Sequence, residues 1–535
     1  MSKSSKPNKN SKKKKDASSA AEWLIDAILK SEAVLFHDQR NVAYIAYHGN
    51  GTKVDRIESK DFKDWLHHYH WQHKQKPLPR DTDTRVIHTL ASRAKYDEPQ
   101  HSLSVRVAKN NDELWYDLND GQAVKLTTEG WQIVKEPPIM FRRFSHQQPQ
   151  VHPEKGGDVH DLRPLINVSD ENDDDWLLFL VNLIVAFLPS FPHPILILYG
   201  PQGAGKTTPM RIMKKVIDPS VLQGMLLPSK EVEFVQLADH HAFLFFDNLS
   251  GLSAKMSDAL ARASTGDGFS SRELYTNDDD FIRIIQRPIA LNGINQVVVK
   301  PDLLDRAILI KLERIAEGLR VPEDEFWQVF ESVKSGLLGA IFDVLAKAMA
   351  IYPNVELKET PRMADFTRWG CAIAEAAGYS QEQFLKAYRD NIKRLDYEAI
   401  EANPVARAVI LLMRQSDDDQ WQGTPAELLN ELKDLLPELG LDEKNRYWPK
   451  DPVWMSRRLN EVQVNLGAIG LVIEHSITSD GRTITITKEL SFTADTEIPL
   501  EDIPDFDEPP AEPTESQGSL LDDEENSKSV DSVKS

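Results

Sequence analysis

A single cysteine, Cys371, stands in 535 residues. One thiol excludes an internal disulfide, and its rarity suits a reducing compartment. Long hydrophobic runs are also lacking. The longest, Trp176 to Leu188, is interrupted by Asn182 and falls short of the ~20 residues that cross a bilayer. It reads as a buried core helix, so no membrane partner is expected. The lysine-rich start has no apolar stretch behind it and is not a secretory signal. A cytoplasmic location is the expectation. Net positive charge is missing too: the balance is −21. That excludes a generally basic nucleic-acid footprint and leaves only local patches for such a partner. Four histidines, His67, His68, His70 and His73, crowd around Trp65 and Trp71. They lack a companion set of Cys or carboxylate ligands at metal spacing, so an aromatic helix face is expected there rather than a metal.

The chain does have strong contrasts along its length. Residues 1–16 carry seven Lys and one Asp, whereas 491–535 carry fourteen acids and two Lys. We read 1–19 as a disordered basic arm, either a solubilising tail or a phosphate contact, and 491–535 as a disordered acidic tail. Residues 20–136 mix helical and strand-like patterns and suggest an N-terminal α+β domain. The stretch 137–165, rich in Pro, His, Gln and Gly, reads as a linker. An α/β domain spans 166–320, a helical domain 321–398, and a three-helix, β-hairpin unit 399–490. The last pattern predicts a C-terminal winged helix.

The chemistry lies in the α/β domain. A buried strand, Ile195–Tyr199, runs into Gly200, Pro201, Gln202, Gly203, Ala204, Gly205, Lys206, Thr207 and Thr208. This is G-x-x-x-x-G-K-[ST] between a strand and a helix, the context that makes the pattern specific for a P-loop. The glycines let backbone N–H groups cradle phosphate, and the helix N-terminus adds its positive end. ATP and Mg²⁺ are the expected ligands, with Lys206 reaching the outer phosphates and Thr207 on the metal. Pro209 requires that the helix begin close to Thr207, because proline is tolerated only in a first turn. A second apolar strand, Ala242–Phe246, ends at Asp247, a candidate second metal residue. The next residue is Asn248, where a proton-accepting glutamate would serve better. Either Asn248 orients water or another acid acts, with Glu231 and Glu233 as candidates. A third strand ends at Asn292, which either positions water or simply turns the chain. Asp305 and Arg306 precede a fourth strand. Arg306 is either an arginine finger for a neighbouring subunit or the partner of Asp305.

With these motifs in order, residues 160–320 resemble the superfamily 3 helicases of the AAA+ class. The likeness is to their poxvirus-type primase-helicase branch, found in phages and bacterial mobile elements. Residues 100–145 resemble the region preceding such domains more loosely. The resemblance implies an AAA+-like parallel sheet flanked by helices, a homo-oligomeric ring, and single-stranded DNA in its channel. A hexamer is implied for the ring. It implies a DNA-gripping hairpin over Thr265–Ile285, with Arg262, Arg272 and Arg283 nearby. The turn Asn277–Asp280 departs from the family pattern by being acidic, and Gly266-Asp267-Gly268 departs as well. The winged helix would offer duplex DNA Lys450, Arg457 and Arg458, or else meet a protein. The reading is a DNA-directed ring ATPase, with a nucleotide-controlled switch without unwinding as the alternative. A small-molecule kinase fits poorly, since no phosphoacceptor pocket is suggested.

Overall fold

The computed structural model describes residues 9–492 except 50, 169–172, 250, 273–279, 294–300, 317, 319, 360, 446, 479–480 and 491. Both tails beyond those limits, and the acidic hairpin turn, lie outside the described residues. The described chain is mixed α/β.

The N-terminal module packs α1 (Lys9–Lys30), α2 (Lys60–Lys74) and α3 (Thr82–Tyr96) on an antiparallel sheet. That sheet comprises β1 (Val34–His37), β2 (Ala43–Gly49) and β3 (Gly51–Arg56). The first helix starts at Lys9, inside the segment expected to be disordered. Its lysine and alanine content favours a helix once Leu24 and Ile28 anchor the other end. The histidine-rich helix presents an aromatic face, as its composition suggests. Trp65 and Tyr69 stack at 4.9 Å, and Tyr69 meets His73 at 4.2 Å. His70 is buried with Nδ1 2.9 Å from the Lys76 carbonyl.

Two short strands, β4 (Leu103–Ser104) and β9 (Met140–Phe141), pair in parallel. Between them lies an antiparallel meander of β5 (Val107–Asn110), β6 (Glu113–Asp117), β7 (Gln122–Thr127) and β8 (Gly130–Lys135).

The α/β body contains α4 (Asp173–Val185), β10 (Ile195–Tyr199), α5 (Thr207–Ile217), α6 (Glu231–His240) and β11 (Leu244–Leu249). It continues with α7 (Ala254–Thr265), the hairpin β12 (Gly268–Arg272) and β13 (Asp280–Ile284), and β14 (Ile289–Gly293). Short α8 (Pro301–Leu304) and β15 (Ala307–Lys311) complete it. The parallel sheet has the order β11-β14-β10-β15. Successive residues of each strand feed opposite cores. Leu196 and Leu198 join one core, Ile195 and Ile197 the other; Phe243 and Phe245 oppose Leu244 and Phe246 in the same way. Apolar residues at every position are what burial on both faces requires. The open edge of β15 is closed by one side chain. The Asn391 amide accepts from Leu309 N at 3.0 Å and donates to Leu309 O at 2.5 Å, in place of a neighbouring strand.

Three long helices follow: α9 (Glu323–Ile351), α10 (Ala364–Ala376) and α11 (Gln381–Glu401). By length and composition α9 could cross a membrane. Here it packs against β8 and α10, with Phe330, Leu337 and Ile341 fully buried. The C-terminal unit comprises α12 (Pro404–Gln415), β16 (Gln420–Gly423), α13 (Pro425–Asp434) and α14 (Pro452–Ala468). It ends in β17 (Leu471–Thr478) and β18 (Gly481–Lys488), with sheet order β16-β18-β17.

Two domain expectations need correction. Residues 137–165 do not hang loose. Gln148 N donates to Pro219 O at 2.9 Å, Val221 N to His146 O at 2.9 Å, and Glu154 N to Ser335 O at 3.0 Å. Buried Gln150 donates to Val216 O at 2.8 Å. The polar composition that suggested a linker supplies these bonds instead. The helices of 321–398 are likewise not a separate body. One core runs from Tyr116 and Val124 of the meander through α4 and β10 to α9, α10 and α11.

The meander is welded to the body by buried charge. Arg106 and Asp218 are 1% and 0% exposed, and Nε lies 3.3 Å from Oδ1. Arg106 also donates to the carbonyls of Asp117, Gln148 and Pro219. Lys214, equally buried, donates to Asp218 at 2.8 Å and to Phe243 O at 2.8 Å. Burial alone would raise the Asp218 pKa, but the Lys214 and Arg106 charges win and hold it below the usual carboxylate range. His241 touches the same cluster, 3.2 Å from Lys214 Nζ. Burial and then the Lys214 charge push it down to about 3.

Breaking one partner leaves the other charges buried and unpaired, so Asp218→Asn or Arg106→Ala should cost about 3–5 kcal/mol of folding stability. Denaturant unfolding reads this, and a change under about 1 kcal/mol would refute it. The histidine adds an acid liability. Its folded pKa lies below the unfolded value of about 6.5, so its contribution is complete above that pH and fades as pH falls toward 3. Asp218, also depressed, acts in the same direction at lower pH. The melting temperature should therefore hold from pH 8 to 7 and fall below about pH 6.5. His241→Gln should flatten that fall, and an unchanged slope would rule His241 out as its source.

Candidate functional site at the strand tips

The C-terminal ends of β10, β14 and β11 lie side by side and bring four predicted residues together. The glycine loop leaves β10 at Tyr199, and α5 begins at Thr207. Pro209 therefore sits in its first turn, where it is tolerated. Gly200, Gly203 and Gly205 all have positive φ, at 145°, 84° and 71°. Gly200 has a second reason to be glycine: a β-carbon there would stand 2.2 Å from the Leu312 carbonyl oxygen. The Lys206 ammonium donates to Gly200 O at 2.6 Å and Pro201 O at 3.0 Å. Its partial burial lowers its pKa. The first-turn N–H groups of a helix have no carbonyl partners within it, so this end of α5 offers donors to an anion.

A chain of hydrogen bonds links the three tips. Asn248 N donates to Asn292 Oδ1 at 2.7 Å. Asn292 Nδ2 then donates to Thr207 Oγ1 at 3.4 Å, and Thr207 Oγ1 to Asp247 Oδ1 at 3.3 Å. Asn292 is 2% exposed, and its two bonds fix which end of the amide faces Thr207. Thr207 and Asp247 present one hydroxyl and one carboxylate beside the loop. That is a hard-oxygen pair suited to Mg²⁺, which takes its other ligands from water and phosphate. The donor set fits the expected metal.

Asn248 stands at a register shift in β11 with φ 62°. Asn tolerates that left-handed conformation better than a larger side chain. Its exposed side chain places no proton acceptor at the site. The two alternative acids are engaged elsewhere. Glu231 pairs with Arg262 at 2.5 Å, and Glu233 with Lys230 at 3.1 Å.

Arg306 lies at the far end of the sheet. Its carbonyl accepts from Ile195 N, at the start of β10, whereas the loop leaves after Tyr199. Four strand steps are roughly 13 Å, beyond an arginine's reach to its own loop. Asp305, its neighbour, accepts from Arg362.

The expected DNA contacts fare unevenly. Arg262 is committed to Glu231 and to the Phe269 ring, 4.4 Å away, so it is a packing residue of α7. Arg287, just after the hairpin, is part-buried against the C-terminal end of α6, donating to Ala238 O and His241 O. Arg272 and Arg283 lie on the hairpin, opposite Asp280 and Phe269 in register. On α14, Arg458 pairs with Glu461 at 2.8 Å, while Arg457 lies over the exposed Trp454 ring at 5.3 Å. Lys450 is exposed beside that helix start.

Two residues near the loop carry no motif signal. Asn167 Nδ2 donates to Ala204 O at 3.0 Å and to Glu313 O at 2.6 Å, stapling the loop to the segment after β15. Arg320 brings a guanidinium beside Gly203.

Residues 159–398 match the family described as "Actinomycete integrative conjugative element replication protein". Residues 405–497 match the RepA C-terminal domain of the same elements. Residues 159–398 and 405–497 are thus similar to two parts of this replication-protein family. No curated protein matches. Among solved structures, the chain is similar to the apo NrS-1 C-terminal region, at 11% identity and a TM-score of 0.42. That match covers 87% of this chain and 98% of the other. It is also similar to a structure described as "SCCmec type IV Cch - active helicase", at 10% identity and a TM-score of 0.43, covering 85% and 92%.

If the loop holds phosphate, Lys206→Ala should abolish nucleotide binding in a fluorescent-nucleotide titration. Asp247→Asn should keep the fold yet remove most of the gain that Mg²⁺ brings to that binding. Wild-type titrations from both variants would discard the site.

Proposed function

We propose that this chain is an ATP-hydrolysing replication motor that acts on DNA with Mg²⁺ bound at its P-loop. The observation that carries this reading is the convergence of Lys206, Thr207, Asp247 and Asn292 at adjacent strand tips. The likeness to a replication-protein family supports DNA as the partner. Mg²⁺, when bound, neutralises charge on the outer phosphates. The protein's own share is positional. The loop amides and Lys206 hold the phosphates, Thr207 and Asp247 hold the metal, and Asn292 orients the attacking water. Asn248 leaves no general base, which favours slow turnover.

Arg306 acts on the nucleotide of a neighbouring copy in a ring, as its distance from its own loop favours; a hexamer is the form the resemblance implies. Single-stranded DNA passes the hairpin β12–β13. The C-terminal unit is a winged helix that meets duplex DNA through Arg457 of α14 and Lys450 just before it. The site of action is the cytoplasm. Asn248 also favours a second reading, an ATP-controlled switch that assembles without unwinding.

ATP turnover with and without single-stranded DNA at low salt separates the two. The motor reading expects several-fold stimulation that fades with added salt. Unstimulated turnover would favour the switch. Arg306→Ala should lose turnover but keep nucleotide binding. Mixing it with Lys206→Ala should restore part of the activity, because one subunit then supplies a finger and the other a loop. No recovery at any ratio would remove Arg306 from the neighbouring site.

A further inference from the structure

Residues 312–315, which follow β15, are laid along the glycine loop and held there. Leu312 N donates to Tyr199 O at 2.9 Å, and Ile315 N to Gly203 O at 3.4 Å. Asn167 ties Glu313 O to Ala204 O through one amide. At the far end, Glu323 of α9 pairs with Arg211 of α5 at 2.7 Å. The contact is close: a β-carbon on Gly205 would lie 3.2 Å from Ile315 Cδ1. Arg320 follows this strap in the chain. Its Nη2 lies 3.5 Å from where a β-carbon on Gly203 would sit. The side chain is exposed. Among the described residues no hydrogen bond or ion pair engages it. Arg211 of α5, by contrast, is committed to Glu323.

We propose that Arg320 binds the phosphate chain of the nucleotide held by its own subunit. The assignment rests on the P-loop reading and extends it. Lys206 bonds the carbonyls at the start of the loop, whereas Arg320 stands at its middle, so the two cations approach a bound polyphosphate from different points. A guanidinium is permanently charged and offers paired N–H donors, which match phosphate oxygens. Arg306 cannot take this part, being at the other end of the sheet.

The test uses the full chain titrated with a fluorescent, non-hydrolysable ATP analogue in Mg²⁺, alongside thermal melts of the nucleotide-free protein. Arg320→Ala should weaken binding by about tenfold or more, the worth of a charge-assisted hydrogen bond. Arg320→Lys should recover part of it, and both variants should melt as the wild type does without nucleotide. Wild-type affinity in Arg320→Ala, with Lys206→Ala binding nothing, would overturn the assignment and leave the loop intact. A lowered melting point with no recovery in Arg320→Lys would make the residue structural and overturn it too. A wild-type chain that binds no analogue would sink the P-loop reading, and this assignment with it.

Discussion

Asp218 ends the helix that begins at the glycine loop, and three parts of the chain distant in sequence meet on its carboxylate. Arg106 arrives from just before the meander, Gln147 from the 137–165 segment that follows it, and the Ala242 N–H from just before β11. Lys214 closes the group from within α5. Each charge is buried, so each needs the others. Removing one strands the rest at a cost far above that of a surface pair. The meander is therefore part of the α/β body and cannot swing as a unit without breaking this cluster.

The loop helix is thus clamped at both ends. At its N-terminus residues 312–315 lie along the glycine loop, with Asn167 as the staple. At its C-terminus the charge cluster holds it. An element fixed twice makes a poor lever. The hairpin β12–β13 leaves α7 through Gly266, whose φ of 92° forms the helix cap, and returns to β14 past Gln286, which donates to Thr265 O.

What was legible in the sequence followed from local rules. The strand–glycine loop–helix order is specific because each residue type answers a backbone need, positive φ at Gly200 or an early turn for Pro209. The sheet strands were readable as unbroken apolar runs because both faces are buried. Composition misled where distant partners decide. Gln147, Gln150 and His146 suggested a loose linker, yet each lies against the C-terminal end of α5 or the start of β11. No window along the chain contains both halves of those contacts. Arg106 was equally hidden. It adopts φ 63°, which no pattern announces, and it is satisfied by groups as far away as Pro219. The same holds for Asn391, whose role as a substitute strand on β15 exists only in three dimensions.

Asn248 shows how backbone and chemistry share one position. Strand β11 shifts register here, and residue 248 turns left-handed. That turn aims its N–H at Asn292 Oδ1, 2.7 Å away. The bond fixes the Asn292 amide so that its NH₂ faces Thr207. A glutamate in the same conformation would cost roughly 1–2 kcal/mol, because side chains other than Gly, Asn and Asp crowd the carbonyl there. An asparagine lowers that strain and gives up a proton acceptor in exchange. On the proposed reading, a site built this way holds its water by geometry rather than by taking its proton. Its rate then depends on how well the metal and the surrounding cations stabilise charge on the phosphates as the bond breaks.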